Sequence, residues 1–238
     1  MRKTALLPVL ILVLQPCFAQ HSDSTFLTEN TFSRSLFPKN KFVLKPHYYP
    51  ITLIATGLAL SGNHPESVKN EIVEERNEHL YNFRTHVDDY LQFSPIAIAY
   101  GLDAFGVKSK TDIQNRTVIL IKGELCVGLV TQVLKRTTHV QRPDFSNYHS
   151  FPSGHTAQAF AAATFLSEEY GHRFKWIPYV SYGIATSVGF LRMANNKHYI
   201  SDVLVGAGIG ILSMKVSYWT HQYKWNKKRN SNFLRNRM

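Results

Sequence analysis

Five apolar stretches, at about residues 94–107, 117–134, 155–170, 177–191 and 202–219, dominate the second half of the chain. Short polar connections separate them. Runs of this length exceed an ordinary strand and show no period-two alternation, so they predict helices. Gly and Ala recur inside them, as at Gly206, Ala207, Gly208 and Gly210, and small residues let helix axes approach closely. The expected fold class is all-α, an antiparallel helical bundle joined by short turns. Most stretches fall short of the roughly 20 residues that a membrane span needs, and Lys122 and Glu124 interrupt one of them. With 44% hydrophobic and 18% charged residues, the bundle's placement stays open between a bilayer and water.

The flanks divide the remainder of the 238 residues. Arg2 and Lys3 precede the apolar run Ala5–Leu14, and Cys17-Phe18-Ala19 places small residues at positions −3 and −1 of a cleavage site. That pattern predicts a secretory signal peptide over 1–19, with an uncleaved anchor as the alternative. Residues 20–50 are polar and hold Pro38, Pro46 and Pro50, the composition of a loosely structured lead-in. Between 66 and 92, Val68, Ile72, Val73, Leu80, Phe83 and Val87 alternate with charged residues at helical spacing. This predicts an amphipathic helix or helix pair with a solvated charged face. The expected organisation is a signal peptide (1–19), a polar lead-in with an amphipathic helical region (20–92), a catalytic helical bundle (93–222) and a basic tail (223–238). Six Lys and Arg between Lys224 and Arg237 suit a cytoplasmic end beside anionic lipid.

A formal net charge of +11 suits nucleic acid, an anionic membrane surface or a phosphorylated substrate. No zinc-finger spacing or RNA-binding aromatic signature accompanies it, which argues against nucleic acid. Neither His-Glu-x-x-His nor Cys-x-x-Cys occurs among the 11 His and 2 Cys, so no metal site and no cofactor are expected. If Cys17 leaves with the signal peptide, Cys126 is the one thiol that remains and no intrachain disulfide is expected.

The chemistry concentrates in two connections, 135–154 and 192–201. Five spans starting from an exported N-terminus would place both on the outer face and the basic tail inside. The first connection carries Lys135, Arg142-Pro143 and then Pro152-Ser153-Gly154-His155, which opens a helix. The second carries Arg192, His198 and Asp202. Three fixed cations, Lys135, Arg142 and Arg192, would neutralise a phosphate and the charge that builds on its oxygens during transfer. Ser153 and Gly154 stand where free backbone N–H groups and the helix dipole face an anion, and Gly lets the backbone approach closely. His198 and Asp202 are four apart and would share a helix face. The carboxylate can then hold Nδ1 and leave Nε2 to attack phosphorus. His155 could protonate the leaving oxygen and later activate water. Taken singly, a His-x3-Asp pair is usually a surface hydrogen bond and a Pro-Ser-Gly is usually a turn. Their conjunction, in this order, carries the reading.

Lys135-x6-Arg142-Pro143, Pro152-Ser153-Gly154-His155 and Arg192-x5-His198-x3-Asp202 resemble the three-part signature of the type 2 phosphatidic acid phosphatase superfamily. That group includes lipid phosphate phosphatases, class A acid phosphatases and vanadium haloperoxidases. The resemblance spans roughly residues 93–220. It implies a helical-bundle fold and a phosphate held by Lys135, Arg142 and Arg192 with help from Ser153 and Gly154. It further implies His198 as nucleophile, Asp202 as its orienter and His155 as general acid/base. One departure stands out: the third motif normally begins Ser-Arg, and here Leu191 precedes Arg192. The expected activity is metal-independent hydrolysis of a lipid-linked phosphate through a phosphohistidine, at the periplasmic face of a bacterial inner membrane. Lipid A, undecaprenyl pyrophosphate and phosphatidylglycerol phosphate are the candidates that the resemblance offers. The alternatives are a soluble periplasmic acid phosphatase, a haloperoxidase and a non-catalytic membrane protein.

Overall fold

Each of the five apolar stretches closes its backbone hydrogen bonds within itself as a helix. The computed structural model describes residues 48–222 apart from Asn63 and Pro65, and these form eight helices with no strand among them. The expectations for the signal peptide, for the lead-in before residue 48 and for the tail at 223–238 lie outside the described residues. In chain order the helices are α1 (Tyr48–Ala59), α2 (Val68–His79), α3 (Val87–Leu91), α4 (Ser94–Ala104), α5 (Ile113–Thr138), α6 (Gly154–Tyr170), α7 (Ile177–Ala194) and α8 (Ile200–Trp219). Consecutive long helices run antiparallel, so the α5–α6 and α7–α8 connections emerge at the same end.

Helices α6 and α8 form the centre, with α5 and α1 on α8 and α7 and α4 on α6. Eleven residues of α6 and thirteen of α8 are buried. Small residues make this contact possible. A Cβ at Gly206 would strike the Ser153 carbonyl, one at Gly210 the Ala157 carbonyl, and one at Gly208 both Ile54 and the Pro50 carbonyl of α1. The glycines foreseen as contact points therefore face two different neighbours, Gly206 and Gly210 towards α6 and Gly208 towards α1. Backbone cannot swing aside as a side chain can, so Gly210→Ala must separate α8 from α6. The expected loss is about 1–3 kcal/mol, read as a lower Tm in detergent. Gly128→Ala on α5 meets nothing within 4 Å and serves as the control, and equal melting of the two variants would show that the α6–α8 contact has slack.

By length and composition, α5 and α8 are the described helices able to cross a membrane. They differ in surroundings. Two-thirds of the apolar window of α8 is buried within the protein, against one-third for α5. On α5, Ile121, Leu125 and Leu129 recur every four residues and are all exposed, forming one apolar stripe that faces outward.

Two features of the region before residue 93 differ from expectation. Residues 48–50, assigned to the lead-in, begin α1, which packs along α8. The 66–92 segment forms two helices, and Glu71, Glu74, Glu75 and Glu78 are solvated as expected, but some of its cations are not. Lys69 and Arg76 are buried, while Val68, Leu80, Phe83 and Val87 are exposed. The reason is the end of α7, where the final carbonyls of a helix lack intrahelical donors. Arg76 Nε donates to the Ala194 carbonyl at 2.9 Å, and Lys69 Nζ lies 5.0 Å above the centre of the Tyr199 ring. These cations satisfy groups that an apolar face could not.

Candidate active site

Four helix termini meet at one end of the bundle: the C-termini of α5 and α7 and the N-termini of α6 and α8. The sequence dictates this locally. Lys135 lies in the last turn of α5 and Arg192 in the last turn of α7, where a cation is favoured by the carbonyl end of the dipole. Ser153 caps α6, its side chain accepting an early backbone N–H.

The connection from α5 to α6 is tied to itself and then to α8. His139 takes a left-handed conformation that ends α5, and Arg142 N donates to Asn147 O at 2.9 Å. Ser150 N donates to Val140 O at 2.9 Å. Ser150 Oγ then donates to Asp202 Oδ2 at 2.5 Å, and Ser153 N donates to Asp202 O at 3.0 Å. A further ion pair, Lys197 Nζ to Asp144 Oδ2 at 2.6 Å, joins the two connections. Residues 49 to 53 positions apart in the chain are thereby held together.

The three cations gather there. Lys135 Nζ donates to the His149 carbonyl at 2.7 Å. Arg142 is half-buried beside Arg192, and burial followed by that neighbouring guanidinium lowers its pKa from the ordinary value. Arg192 is buried and donates to Asp88 Oδ2 at 2.7 Å. The Nε atoms of Arg142 and Arg192 are both buried without a hydrogen-bond partner. Guanidinium N–H groups are costly to leave unpaired, so two such donors in a crowd of like charge describe a place built for an anion. Gly154 faces Lys135: an added Cβ would meet only Lys135 Cε, at 3.8 Å. Protein packing does not demand glycine here, which leaves close approach of a ligand as the physical reason for it.

Ser153 does less than expected. Its amide is spent on Asp202 O and its hydroxyl is shared with Thr156 at the helix cap, with no exposed surface. A phosphate would meet the first amides of α6, at Gly154 and His155, which have no intrahelical acceptors.

His198 and Asp202 are brought together, but not on a common helix face. The helix α8 starts at Ile200, with Tyr199 as its N-cap, so His198 stands just before it. Asp202 occupies the third helical position and Oδ2 turns back to accept from Tyr199 N at 3.0 Å. Ser201 Oγ donates to Oδ1 at 3.3 Å. The capping geometry, rather than helical periodicity, aims the carboxylate at the imidazole. His198 Nδ1 lies 3.5 Å from Asp202 Oδ2 and closes no hydrogen bond there. Such catalytic bonds are often long before substrate binds. Burial lowers the pKa of His198 to about 4. Asp202 opposes that effect, and Lys135 and Arg192 reinforce it. The imidazole is therefore neutral at physiological pH, the form that can act as a nucleophile.

His155 is the second residue of α6. Its Nε2 contacts Asp89 Oδ1 at 2.9 Å. Burial, then the Arg192 charge, lowers its pKa, and Asp89 and Asp88 oppose the shift. Asp88 and Asp89 were not singled out in the sequence, because their segment looked like a solvated charged face. The adjacent pair on a short amphipathic segment was the available signal. Asp88 is fully buried, accepts from Arg192, and also accepts from Asn195 Nδ2 at 3.1 Å. Ser150 and Asn195 were likewise not foreseen. Donor atoms of Asp88, Asp89 and His155 lie within 4.8 Å of one another, a grouping that could hold a metal ion, yet each is already bonded within the protein. Leu191, at the position where the family motif has Ser, is partly buried.

Comparison with known proteins places these features in a family context. Residues 116–226 match the model described as PAP2 superfamily. A lipid A 1-phosphatase from Porphyromonas gingivalis is 34% identical over 154 residues, which is 64% of this chain and 35% of that protein. The chain thus spans about a third of the length of this curated relative. The crystal structure of a transmembrane PAP2-type phosphatidylglycerolphosphate phosphatase from Bacillus subtilis superimposes with a TM-score of 0.53 at 22% identity. It covers 72% of this chain and 95% of that one, a likeness of fold. Aquifex aeolicus LpxE covers 62% of this chain and 94% of its own, with a TM-score of 0.47 and 23% identity.

Proposed function

Residues 116–226 make this chain a member of the PAP2 superfamily, and from that premise we propose that it hydrolyses a lipid-linked phosphate through a phosphohistidine on His198. The observation that carries the reading is the pair of buried, unpartnered guanidinium Nε atoms beside a neutral, buried imidazole. Lys135, Arg142 and Arg192 bind the phosphate and hold its equatorial oxygens as charge builds. Nε2 of His198 attacks phosphorus, a P–N bond forms, and the P–O bond to the leaving group breaks. Asp202, on the Nδ1 side, stabilises the positive charge that appears on the ring. His155 supplies a proton to the leaving oxygen. In the second half-reaction it takes a proton from water, whose oxygen attacks phosphorus as the P–N bond breaks and inorganic phosphate departs. The three cations supply the electrostatic stabilisation without a metal in any step.

A lipid substrate is favoured by the outward apolar stripe of α5 and by the membrane-type relatives. The protein is membrane-associated on this reading, with the four-terminus end at the exported face. Release of inorganic phosphate should be measured in detergent for lipid A, undecaprenyl pyrophosphate, phosphatidylglycerol phosphate and p-nitrophenyl phosphate, with and without a chelator. Faster turnover of at least one lipid phosphate, unchanged by chelation, is the expected result. Equal or faster hydrolysis of the soluble ester would favour a broad acid phosphatase, and loss of activity on chelation would defeat the metal-free mechanism.

A further inference from the structure

His155 needs a defined tautomer to move a proton in both half-reactions, and the motif that contains it does not supply one. The structure assigns that task to Asp89: we propose that its carboxylate is a positioning residue that holds Nε2 of His155, leaving Nδ1 to exchange the proton with the leaving oxygen and then with water. The inference rests on the phosphatase reading above. Asp89 Oδ1 lies 2.9 Å from Nε2, within hydrogen-bond reach, and a carboxylate accepts only from a nitrogen that carries hydrogen. In the neutral ring, Nδ1 is then the free base. In the imidazolium, Nδ1 carries the proton to be donated.

The helix that presents Asp89 is held rigidly. Its neighbour Asp88 is locked between Arg192 and Asn195. Asn195 also pairs with the Thr85 backbone in both directions, at 2.9 Å each. Successive carboxylates of α3 therefore set the guanidinium and the imidazole in place together. The other oxygen of Asp89 contacts exposed His86 Nδ1 at 3.3 Å. Burial opposes ionisation of Asp89, but the bonds to His155 and His86 and the Arg192 charge keep its carboxyl below the usual range. The charged groups that act on His155 are Asp88 and Asp89 from α3 and Arg192 from α7. The His86 side chain stands beyond Asp89. Within this set, Asp89 is the anion in direct contact with the ring. Asp89 lies outside residues 116–226, so the family segment takes this part of its acid/base apparatus from preceding chain.

The sign follows from the charge. An anion beside the imidazolium favours the protonated form, so Asp89→Asn makes His155 release its proton at lower pH. The alkaline limb of kcat/KM, above which the general acid is lost, should move towards acid by about one pH unit, since the pair is partly exposed. The kcat/KM for phosphatidic acid, whose alkoxide leaves poorly without a proton, should fall by about 10–100-fold, part of the range for general acid catalysis. The kcat/KM for p-nitrophenyl phosphate, which ends at departure of a phenolate that leaves unaided and omits the later water step, should fall by under about 3-fold by the same reasoning. Equal losses on both substrates with an unmoved limb would overturn the proposal. In a His155→Ala background, Asp89→Asn should cost nothing more on phosphatidic acid, and a further loss there would also overturn it. His198→Ala separates the two levels: if it stays active, the phosphatase reading has failed. If it is inactive while Asp89→Asn behaves as a uniform loss, only the positioning role has failed.

Discussion

His198→Ala is expected to lower kcat for phosphate release by on the order of 10⁵-fold or more, the scale seen when a covalent nucleophile is deleted. The size follows from what is removed: without Nε2 no P–N bond forms, and the cationic cradle remains to bind phosphate without a group to attack it. Binding should therefore survive. A competitive phosphate analogue should protect the variant from heat as it protects the parent. The measurement is single-turnover phosphate release, with trapping of radiolabelled phosphoenzyme at short times. An acid-labile, base-stable adduct in the parent and none in the variant is the expected pattern; adduct in both would place the nucleophile elsewhere. The substitution also reads out pH dependence. The imidazole has an ordinary pKa of 6.5 and a folded value of about 4, so the unfolded chain binds its proton first. That contribution to stability is complete above about 6.5, declines as the pH falls, and is fully lost near 4. His198→Ala should flatten the acid side of the stability profile in this window. In the parent, the acid limb of the chemical step governed by His198 should lie near pH 4.

Asp202→Asn should lower kcat by roughly 10³–10⁴-fold, the range for replacing the carboxylate that orients a catalytic histidine. An amide keeps the shape and still accepts through its oxygen, but it removes the charge that balances the phosphoimidazolium and can donate to Nδ1 in the wrong tautomer. This variant tests more than catalysis. Asp202 accepts from Ser150, the Tyr199 amide and Ser201, so its side chain also fastens the α5–α6 connection to the start of α8. Asn can retain a part of that network, whereas Ala leaves every donor unpaired in a buried site. Asp202→Asn should consequently lose activity with a small change in Tm, and Asp202→Ala should lose both. Equal activity losses with a large fall in Tm for the Asn variant would mean that the carboxylate matters for architecture and not for the imidazole.

The contrast between these two residues shows how legibility varied along the chain. All five apolar stretches appear as helices with bounds displaced by only a few residues, because length and continuous hydrophobicity leave a segment no other way to satisfy its backbone. Lys135, Arg142, His155, Arg192, His198 and Asp202 stood out by type and spacing, and the structure gathers them at one end. The reasoning for the His198–Asp202 pair was only partly sound. Spacing of four suggested one helix face, whereas a capping interaction at Tyr199 sets the geometry and leaves His198 outside the helix. Ser153 was read as a phosphate contact, but its amide is consumed in joining α6 to α8 and its hydroxyl in capping α6. Asp88 and Asp89 were hidden because a charged residue on an amphipathic segment normally faces water. Their partners, Arg192, Asn195 and His155, lie 66 to 107 positions later, and local pattern carries no information at that range.

By itself, then, the sequence determined the helices, their small-residue contact faces and the inventory of phosphate-binding and proton-transferring groups, since each depends on residue type and near neighbours. Only the tertiary structure decided which carboxylate meets which base. That choice depends on desolvation and on where distant helix ends come together: Arg76 is buried to satisfy the end of α7, Asp88 to satisfy Arg192, and Asp89 is brought to His155 by the same short helix.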